Sequence, residues 1–343
     1  MKLPEVTVII PTYNKEKYLE LSLASWLHQQ FGREYEIIVV DDGCTDCTLQ
    51  LLRRYSQSLP LRFESTGNKG RAAARNLGLQ LARGPLVVFV DDDRIVPPDF
   101  LERHWGAHEK SAPAGIVIGW TSGLLVELPG PGDQLIPERV FNRVLARDPA
   151  ISDQLLAGKE LQILKTEHFQ EAVPRLDELA LLDPWENQLT QVVSVYGTDI
   201  TECPLAWTYG TTGNLSVPRE ALERSGGFDE AFNGWGLEDT ELHYRLVRAG
   251  LRTKIERRAV NYHQNHPKNR RSQMLNWQIN AKRMLLKHQS DEAVALYIQA
   301  AVGNVSIVEA CKLLPDRQSP KGSHDLAVYR DLLVENARRL LEC

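Results

Sequence analysis

The sequence predicts an α/β fold built on a mostly parallel, doubly wound sheet flanked by helices, and three observations lead there. Short apolar, β-branched runs alternate with amphipathic helical stretches through the first 110 or so residues. The runs end in residues suited to ligands: Pro11 to Asn14 after the first, Asp41-Asp42 after the second, Asp91-Asp92-Asp93 after the fourth. Open α/β sheets bind ligands beyond the carboxyl ends of their strands, so these ends converge on one candidate site.

Val6-Thr7-Val8-Ile9-Ile10, closed by Pro11, predicts a buried parallel strand. Asn14 is placed to cap the next helix, where Tyr18, Leu21, Ser25 and Trp26 fall on one side. Glu36 to Val40 is a second strand, and Thr45 or Asp46 then opens a helix through Leu49, Leu52 and Tyr55. Leu61 to Glu64 is a weaker third strand. Arg71 to Arg83 reads as a helix stopped by Gly84-Pro85. Leu86 to Val90 is a fourth buried strand, and it delivers the three aspartates at its carboxyl end.

Past Gly115 the alternation breaks. Ile116 to Trp120 and Leu215 to Val217 predict further strands, while residues 125–200 mix proline, charge and short helical patterns and read as an insertion or lid. A Gly- and Trp-rich turn from Gly226 to Gly236 leads into a helix over Glu238 to Ala249, ended by Gly250. From about Arg270 the pattern is helical to the C-terminus, broken near Pro315 and Pro320.

The net charge of -5 over 343 residues provides no basic face for nucleic acid. No apolar run approaches the roughly 18 residues of a membrane span, which leaves only peripheral membrane association open. Met1 to Glu5 lacks the apolar stretch of a signal peptide. Cys44 and Cys47 form a C-x-x-C without a second pair and read as incidental small residues in a turn. A reducing cytoplasm is the expected compartment.

Three adjacent aspartates after a buried strand are costly unless something positive neutralises them. Alternate side chains of an extended segment point the same way, so Asp91 and Asp93 are expected to share one target. A hard divalent cation, Mg²⁺ or Mn²⁺, bridging to phosphate oxygens is the natural one. A second group is Phe228-Asp229-Glu230 with Asn233-Gly234-Trp235-Gly236-Leu237-Glu238-Asp239. Trp235 supplies a flat face for a sugar, and Glu238 and Asp239 sit at a helix N-terminus, where carboxylates are favoured. Adjacent helical positions diverge by about 100°, so one carboxylate can face a reacting hydroxyl while the other binds a neighbouring one. A third group, Asn261-Tyr262-His263-Gln264-Asn265-His266, offers a neutral imidazole to complete a metal shell. Lys268, Arg270 and Arg271 form a basic cluster near it.

Val8 to Asn14, Val39-Val40-Asp41-Asp42-Gly43, Asn68-Lys69-Gly70 with Ala74 to Gly78, and Asp91-Asp92-Asp93 occur in the order and spacing of the family 2 glycosyltransferases, which this chain resembles. That resemblance implies the GT-A fold and inverting transfer from a UDP-sugar. It implies a nucleotide site of Pro11, Thr12, Tyr13, Asn14, Asp42, Asn68, Gly70, Arg75, Asp91 and Asp92, with Asp42 accepting from the uracil N–H. Asp93 would ligate the metal. Cys44 departs from the family, which usually has Ser after Asp-Asp-Gly. The Trp235 to Asp239 segment and Tyr262-His263-Gln264 are similar to chondroitin-polymerase-type enzymes and β-1,4-galactosyltransferases. They imply Asp239 as catalytic base, Glu238 and Trp235 on the acceptor, and His263, in preference to His266, as metal ligand.

On that basis residues 1–115 are expected to bind the nucleotide sugar and 116–268 to hold the acceptor and catalytic part. Residues 269–343 are expected to form a helical extension. The expected partners are a UDP-sugar donor and a carbohydrate or other hydroxyl-bearing acceptor, in a glycan, peptide or natural product. A sugar-phosphate nucleotidyltransferase would need a Gly-rich phosphate loop where Pro11-Thr12-Tyr13-Asn14 stands. A non-catalytic nucleotide-sugar binder would not need the Glu238-Asp239 pair.

Overall fold

The computed structural model describes residues 2–110, 115–128, 136, 138–147, 150–157, 161–166, 169–181, 183–266, 269–289, 291–314 and 324–339. Lys268, Pro315 and Pro320 lie outside them. The first half runs β1 (Val6–Thr12), α1 (Glu16–Trp26), β2 (Tyr35–Asp41), α2 (Thr48–Tyr55), β3 (Leu61–Ser65), α3 (Arg71–Leu81) and β4 (Leu86–Val90). These strands lie in the order β3-β2-β1-β4, all parallel. Alternate residues feed opposite faces. Ile9, Ile38, Val40 and Phe89 join one core cluster, while Val8, Ile10, Val39 and Val88 join the other. Helices cover both faces, which is why the strands read as continuous apolar runs.

The second half makes the sheet mixed. It continues with β5 (Arg94–Ile95), α4 (Phe100–Glu109), β6 (Ile116–Leu124), β7 (Glu127–Leu128), α5 (Glu138–Arg147), α6 (Ala150–Leu156), β8 (Leu161–Gln162), α7 (Phe169–Ala172), β9 (Ala180–Leu181) and α8 (Pro184–Tyr196). Then come β10 (Asn214–Pro218), α9 (Arg219–Arg224), α10 (Glu238–Arg248), β11 (Thr253–Gln264), α11 (Arg270–Lys287), α12 (Glu292–Ala301), α13 (Ile307–Leu313) and α14 (His324–Arg339). β10 inserts antiparallel between β4 and β6, β11 runs parallel to β6, and β5 closes on β11 antiparallel. The two-residue strand β5 was not legible in the sequence. Its pairing of Arg94 with His263 brings the end of the aspartate run beside the histidines.

Several expectations change. Asn14 does not cap α1: it sits at φ 50°, and its side-chain oxygen accepts from the Thr45 amide at 2.7 Å, tying together the loops after β1 and β2. Asp46 instead accepts from the Glu16 amide at 3.2 Å and from the Thr48 amide at 3.1 Å, serving both helix starts. α3 stops at Leu81 rather than Arg83, because the Arg83 amide and guanidinium are drawn onto the buried Glu36 carboxylate at 2.9 Å each. Tyr262-His263-Gln264 lies within β11, so His263 is held on a strand. Within segment 125–200, α8 is part of the body: Leu189 and Val192 are fully buried in the same cluster as Ile118 and Leu215.

The helical C-terminal part also reaches the site. Asn280 of α11 is fully buried, and its side-chain amide donates to the carbonyls of Asn233 at 3.0 Å and Gly236 at 2.8 Å. Those carbonyls belong to the loop before α10, so α11 clamps it from behind. Asn280→Ala leaves both without that donor and is expected to lower the unfolding free energy by about 1–3 kcal/mol. The reading is a lower urea midpoint with an unchanged slope.

Candidate active site

The sheet's carboxyl edge opens into a cavity of about 980 Å³. On one side lies a shelf built by the first two strands. Tyr13 is 45% exposed, and its hydroxyl accepts from the Asn68 amide group at 3.3 Å. Asp42 is buried and accepts from the backbone amides of Lys69 at 2.7 Å and Gly70 at 2.8 Å and from the Thr66 hydroxyl. Gly70 needs its φ of 94° for this turn, and a Cβ there would meet the Asn233 side chain at 2.8 Å. Pro11 and Thr12 are buried at the end of β1.

The three aspartates part company. Residues 91–93 leave β4 in a turn, with the Arg94 amide bonded to the Asp91 carbonyl at 3.2 Å, so Asp91 and Asp93 do not share a target. Asp91 meets Arg75 at 2.9 Å. The same guanidinium meets Glu238 at 3.0 Å, and both Arg75 and Glu238 are almost completely buried. Burial acts to discharge Arg75, but Asp91 and then Glu238 outweigh it and raise its pKa. Arg75 is thus engaged by the protein on both sides. Asp92 points inward, and burial pushes its carboxyl up to about 6.

Asp93 gathers the metal-ligand set. Its Oδ2 lies 3.1 Å from His266 Nε2 and 3.8 Å from His263 Nε2, and the three residues' ligand atoms fall within 4.8 Å of one another. His263 Nδ1 faces Asp183 at 3.3 Å, the kind of outer partner that orients a ligating imidazole. Both histidines reach the carboxylate, so one ion can take both. The Asp93 Oδ1 atom is buried without a hydrogen bond among the described residues. One carboxylate and two imidazoles, with ligand atoms within 4.8 Å of one another, fit a divalent cation.

Lys15, which sequence reading passed over, reaches into this cluster. Its ammonium lies 2.8 Å from Asp93, 3.0 Å from His266 Nε2 and 4.0 Å from Asp92. Burial pushes the Asp93 carboxyl up, but Lys15, then the two histidines, hold it well below the usual carboxylate range. The only early signal was a lysine directly after the Pro11 to Asn14 motif.

Across the cavity, Gly234, Gly236 and the left-handed Leu237 (φ 74°) fold the loop that starts α10. A Cβ at Gly234 would meet Asn276 at 2.6 Å, so this glycine lets α11 come close. Trp235 is 38% exposed at the rim. Glu238 Oε2 is buried with no hydrogen-bond partner among the described residues. Asp239 accepts from the Thr240 amide at 2.7 Å and the Thr212 amide at 3.4 Å, and burial, then the Glu238 charge, push its carboxyl up to about 6. Asn14, Arg75, Asp91, Asp93, Trp235, Glu238, Asp239 and His263 all line the cavity. Pro11, Thr12, Tyr13, Asp42, Asn68, Gly70 and Asp92 stand outside that lining. Sequence reading missed Trp185, Gln188, Thr212 and Trp277, which also line it; they carry no motif.

Residues 7–147 match the family model described as glycosyl transferase family 2, and residues 196–268 match that described as the N-terminal domain of galactosyltransferase. The chain is 30% identical over 294 residues to validoxylamine A glucosyltransferase of Streptomyces hygroscopicus subsp. limoneus, covering 84% of this chain and 57% of that one. It is 32% identical over 277 residues to the uncharacterized glycosyltransferase YfnE of Bacillus subtilis (strain 168), covering 78% and 67%. It is 26% identical over 264 residues to a chondroitin synthase of Escherichia coli, covering 76% and 35%. The chain therefore spans less than two thirds of the first of these relatives. Among solved structures, S. aureus TarS 1-349 in complex with UDP-GlcNAc superposes with a TM-score of 0.54 at 18% identity, covering 98% of this chain and 90% of that one. The mannosyltransferase PcManGT from Pyrobaculum calidifontis in complex with GDP-Man and Mn2+ gives 0.52 at 19% identity, covering 100% and 84%.

Two outcomes follow from this geometry. Arg75→Leu strands the buried Glu238 carboxylate and is expected to cost about 3–5 kcal/mol of stability, read by thermal unfolding. Lys15→Met removes a cation that competes for the Asp93 cluster and is expected to tighten Mn²⁺ binding by about tenfold in calorimetric titration. An unchanged Mn²⁺ affinity would show that Lys15 and the ion do not compete.

Proposed function

The chain belongs to glycosyl transferase family 2, and we propose that it is an inverting hexosyltransferase moving a sugar from a UDP-hexose to an acceptor hydroxyl. The observation that carries this reading is the meeting of Asp239, at about 6, with the Asp93, His263 and His266 cluster in one cavity. UDP-glucose and UDP-N-acetylglucosamine are the first donors to test, given a glucosyltransferase among the relatives and UDP-GlcNAc in the TarS complex.

Tyr13, Asp42 and Asn68, with Pro11, Thr12, Asn14 and Gly70, are the proposed seat of the uridine, and Asp92, buried beneath the site, would support the ribose or diphosphate from below. Arg75 serves as a positioning residue, since its guanidinium already holds Asp91 and Glu238. Asp93, His263 and His266 would hold a divalent cation. Imidazole ligands favour a transition metal such as Mn²⁺ over the water-rich, all-oxygen shell of Mg²⁺, and the Mn2+ in the PcManGT complex supports the choice. When bound, such an ion supplies charge neutralisation for the departing diphosphate.

Asp239 takes the proton of the acceptor hydroxyl while that oxygen bonds to the anomeric carbon opposite the diphosphate. The carbon–oxygen bond to UDP breaks in the same step, inverting the linkage. A carboxyl at about 6 is ionised at neutral pH yet more basic than an ordinary aspartate. Glu238 would hold a second acceptor hydroxyl through its unpartnered oxygen. Trp185, Trp235 and Trp277 offer flat faces, and Gln188, Gln191 and Thr212 offer neutral donors and acceptors. That lining favours a neutral, polyhydroxylated acceptor.

A UDP-release screen across UDP-sugars, with Mn²⁺ or with EDTA, tests the reading. Asp239→Asn is expected to lower kcat by about 10²–10⁴-fold while UDP affinity stays. In the wild type, kcat/KM should fall as pH drops through about 6, because protonated Asp239 can no longer accept the hydroxyl proton. Full turnover in EDTA and in Asp239→Asn would sink the mechanism.

A further inference from the structure

α11 has two working sides. Its inner side is committed to the protein: Asn280, Ala281, Met284 and Leu285 are buried, while Gln273 and Trp277 line the cavity. Its outer side is unusual for a helix in water. Leu275, Ile279 and Leu286 are 58%, 49% and 59% exposed. At about 100° per residue these three fall within roughly 40° of one another, with Lys282 between Ile279 and Leu286 along the axis. Arg271 and Lys282 fall beside these three on the same face by the same count.

The helix sequence, RRSQMLNWQINAKRMLLK, contains Arg270, Arg271, Lys282, Arg283 and Lys287 and no aspartate or glutamate. The chain as a whole carries -5, so this helix runs against the charge of its own protein. An apolar row flanked by cations without acids is the pattern of a helix lying in the plane of a membrane surface. There the apolar side chains enter the acyl boundary and the lysine and arginine heads stay among anionic headgroups. Among the described residues no helix is long and apolar enough to cross a membrane, so the association is peripheral.

We propose that the outer face of α11 docks on an anionic lipid bilayer, through Leu275, Ile279 and Leu286 with Arg271 and Lys282 at its edge. The inference stands independently of the transfer chemistry. Its functional consequence is geometric. The same helix lines the cavity with its opposite side and clamps the loop before α10, so docking brings the membrane to within about one helix thickness of the cavity wall.

The test is co-sedimentation of the full chain with phosphatidylglycerol-rich vesicles and with pure phosphatidylcholine vesicles. Binding to the anionic vesicles that weakens with salt is expected, with little binding to the neutral ones. Arg271→Gln/Lys282→Gln should lose about thirtyfold in partitioning, at about 1 kcal/mol per cation near the surface. Leu275→Glu/Ile279→Glu should abolish binding. None of these side chains belongs to the proposed catalytic or nucleotide site, so UDP binding should be unchanged in each variant. Equal binding to both vesicle types, no binding to either, or full binding by the Leu275→Glu/Ile279→Glu variant would overturn the proposal. A dimer of the wild type that the same variant dissociates would assign the face to a second copy and overturn it equally.

Discussion

The cavity gathers Asp91, Asp93, Glu238 and Asp239 at one sheet edge, with Asp92 buried behind them, and cations are built in among them. Arg75 is the central one: its buried guanidinium joins Asp91, from the end of β4, to Glu238, from the start of α10. Two halves of the fold that share no local sequence are thereby cross-linked at the cavity, in addition to the pairing of β4 with β10. Lys15 does the same for Asp93, and Arg94 adds a third charge at 3.4 Å. Without them, mutual repulsion and desolvation would protonate the carboxylates or open the edge.

The charges left incompletely balanced are informative. Among the described residues Asp239 has no cation in hydrogen-bonding contact, and burial beside Glu238 raises it to about 6. Asp93, surrounded by Lys15 and two imidazoles, is driven the other way. Carboxylates pushed apart in this manner match the different roles proposed for them, a proton acceptor on one side and a metal ligand on the other. The separation comes from neighbours, since the two residues are chemically identical.

Much of the first half was legible because its signals are local. Each buried parallel strand is an apolar run, each helix has an apolar stripe, and each strand end carries its own motif. The boundaries failed where a side chain acted across the fold: Asn14 spends its amide on Thr45, and Glu36 draws Arg83 out of its helix. The second half was harder to read. Its antiparallel insertion of β10 and the two-residue β5 depend on pairing partners far away in sequence, and such short strands have no periodicity to detect. Asn280 had no motif at all, and it acts by reaching two carbonyls in a distant loop.

By itself the sequence determined the α/β architecture and the family, and it singled out the aspartate run and the Glu238-Asp239 pair as candidate chemistry-bearing groups. These rest on residue types at fixed short spacings, which a linear reading contains in full. Only the tertiary structure decided which aspartate faces which partner. It sent Asp91 to Arg75 and Asp93 to the histidines, brought His266 in beside His263, and set Lys15 among them. The reason is that a carboxylate's role depends on the charges within a few ångströms of it. Here those charges arrive from α3, from β11 and the residues just past it, from α10 and from the residue before α1, whose convergence is set by strand register and by one left-handed turn.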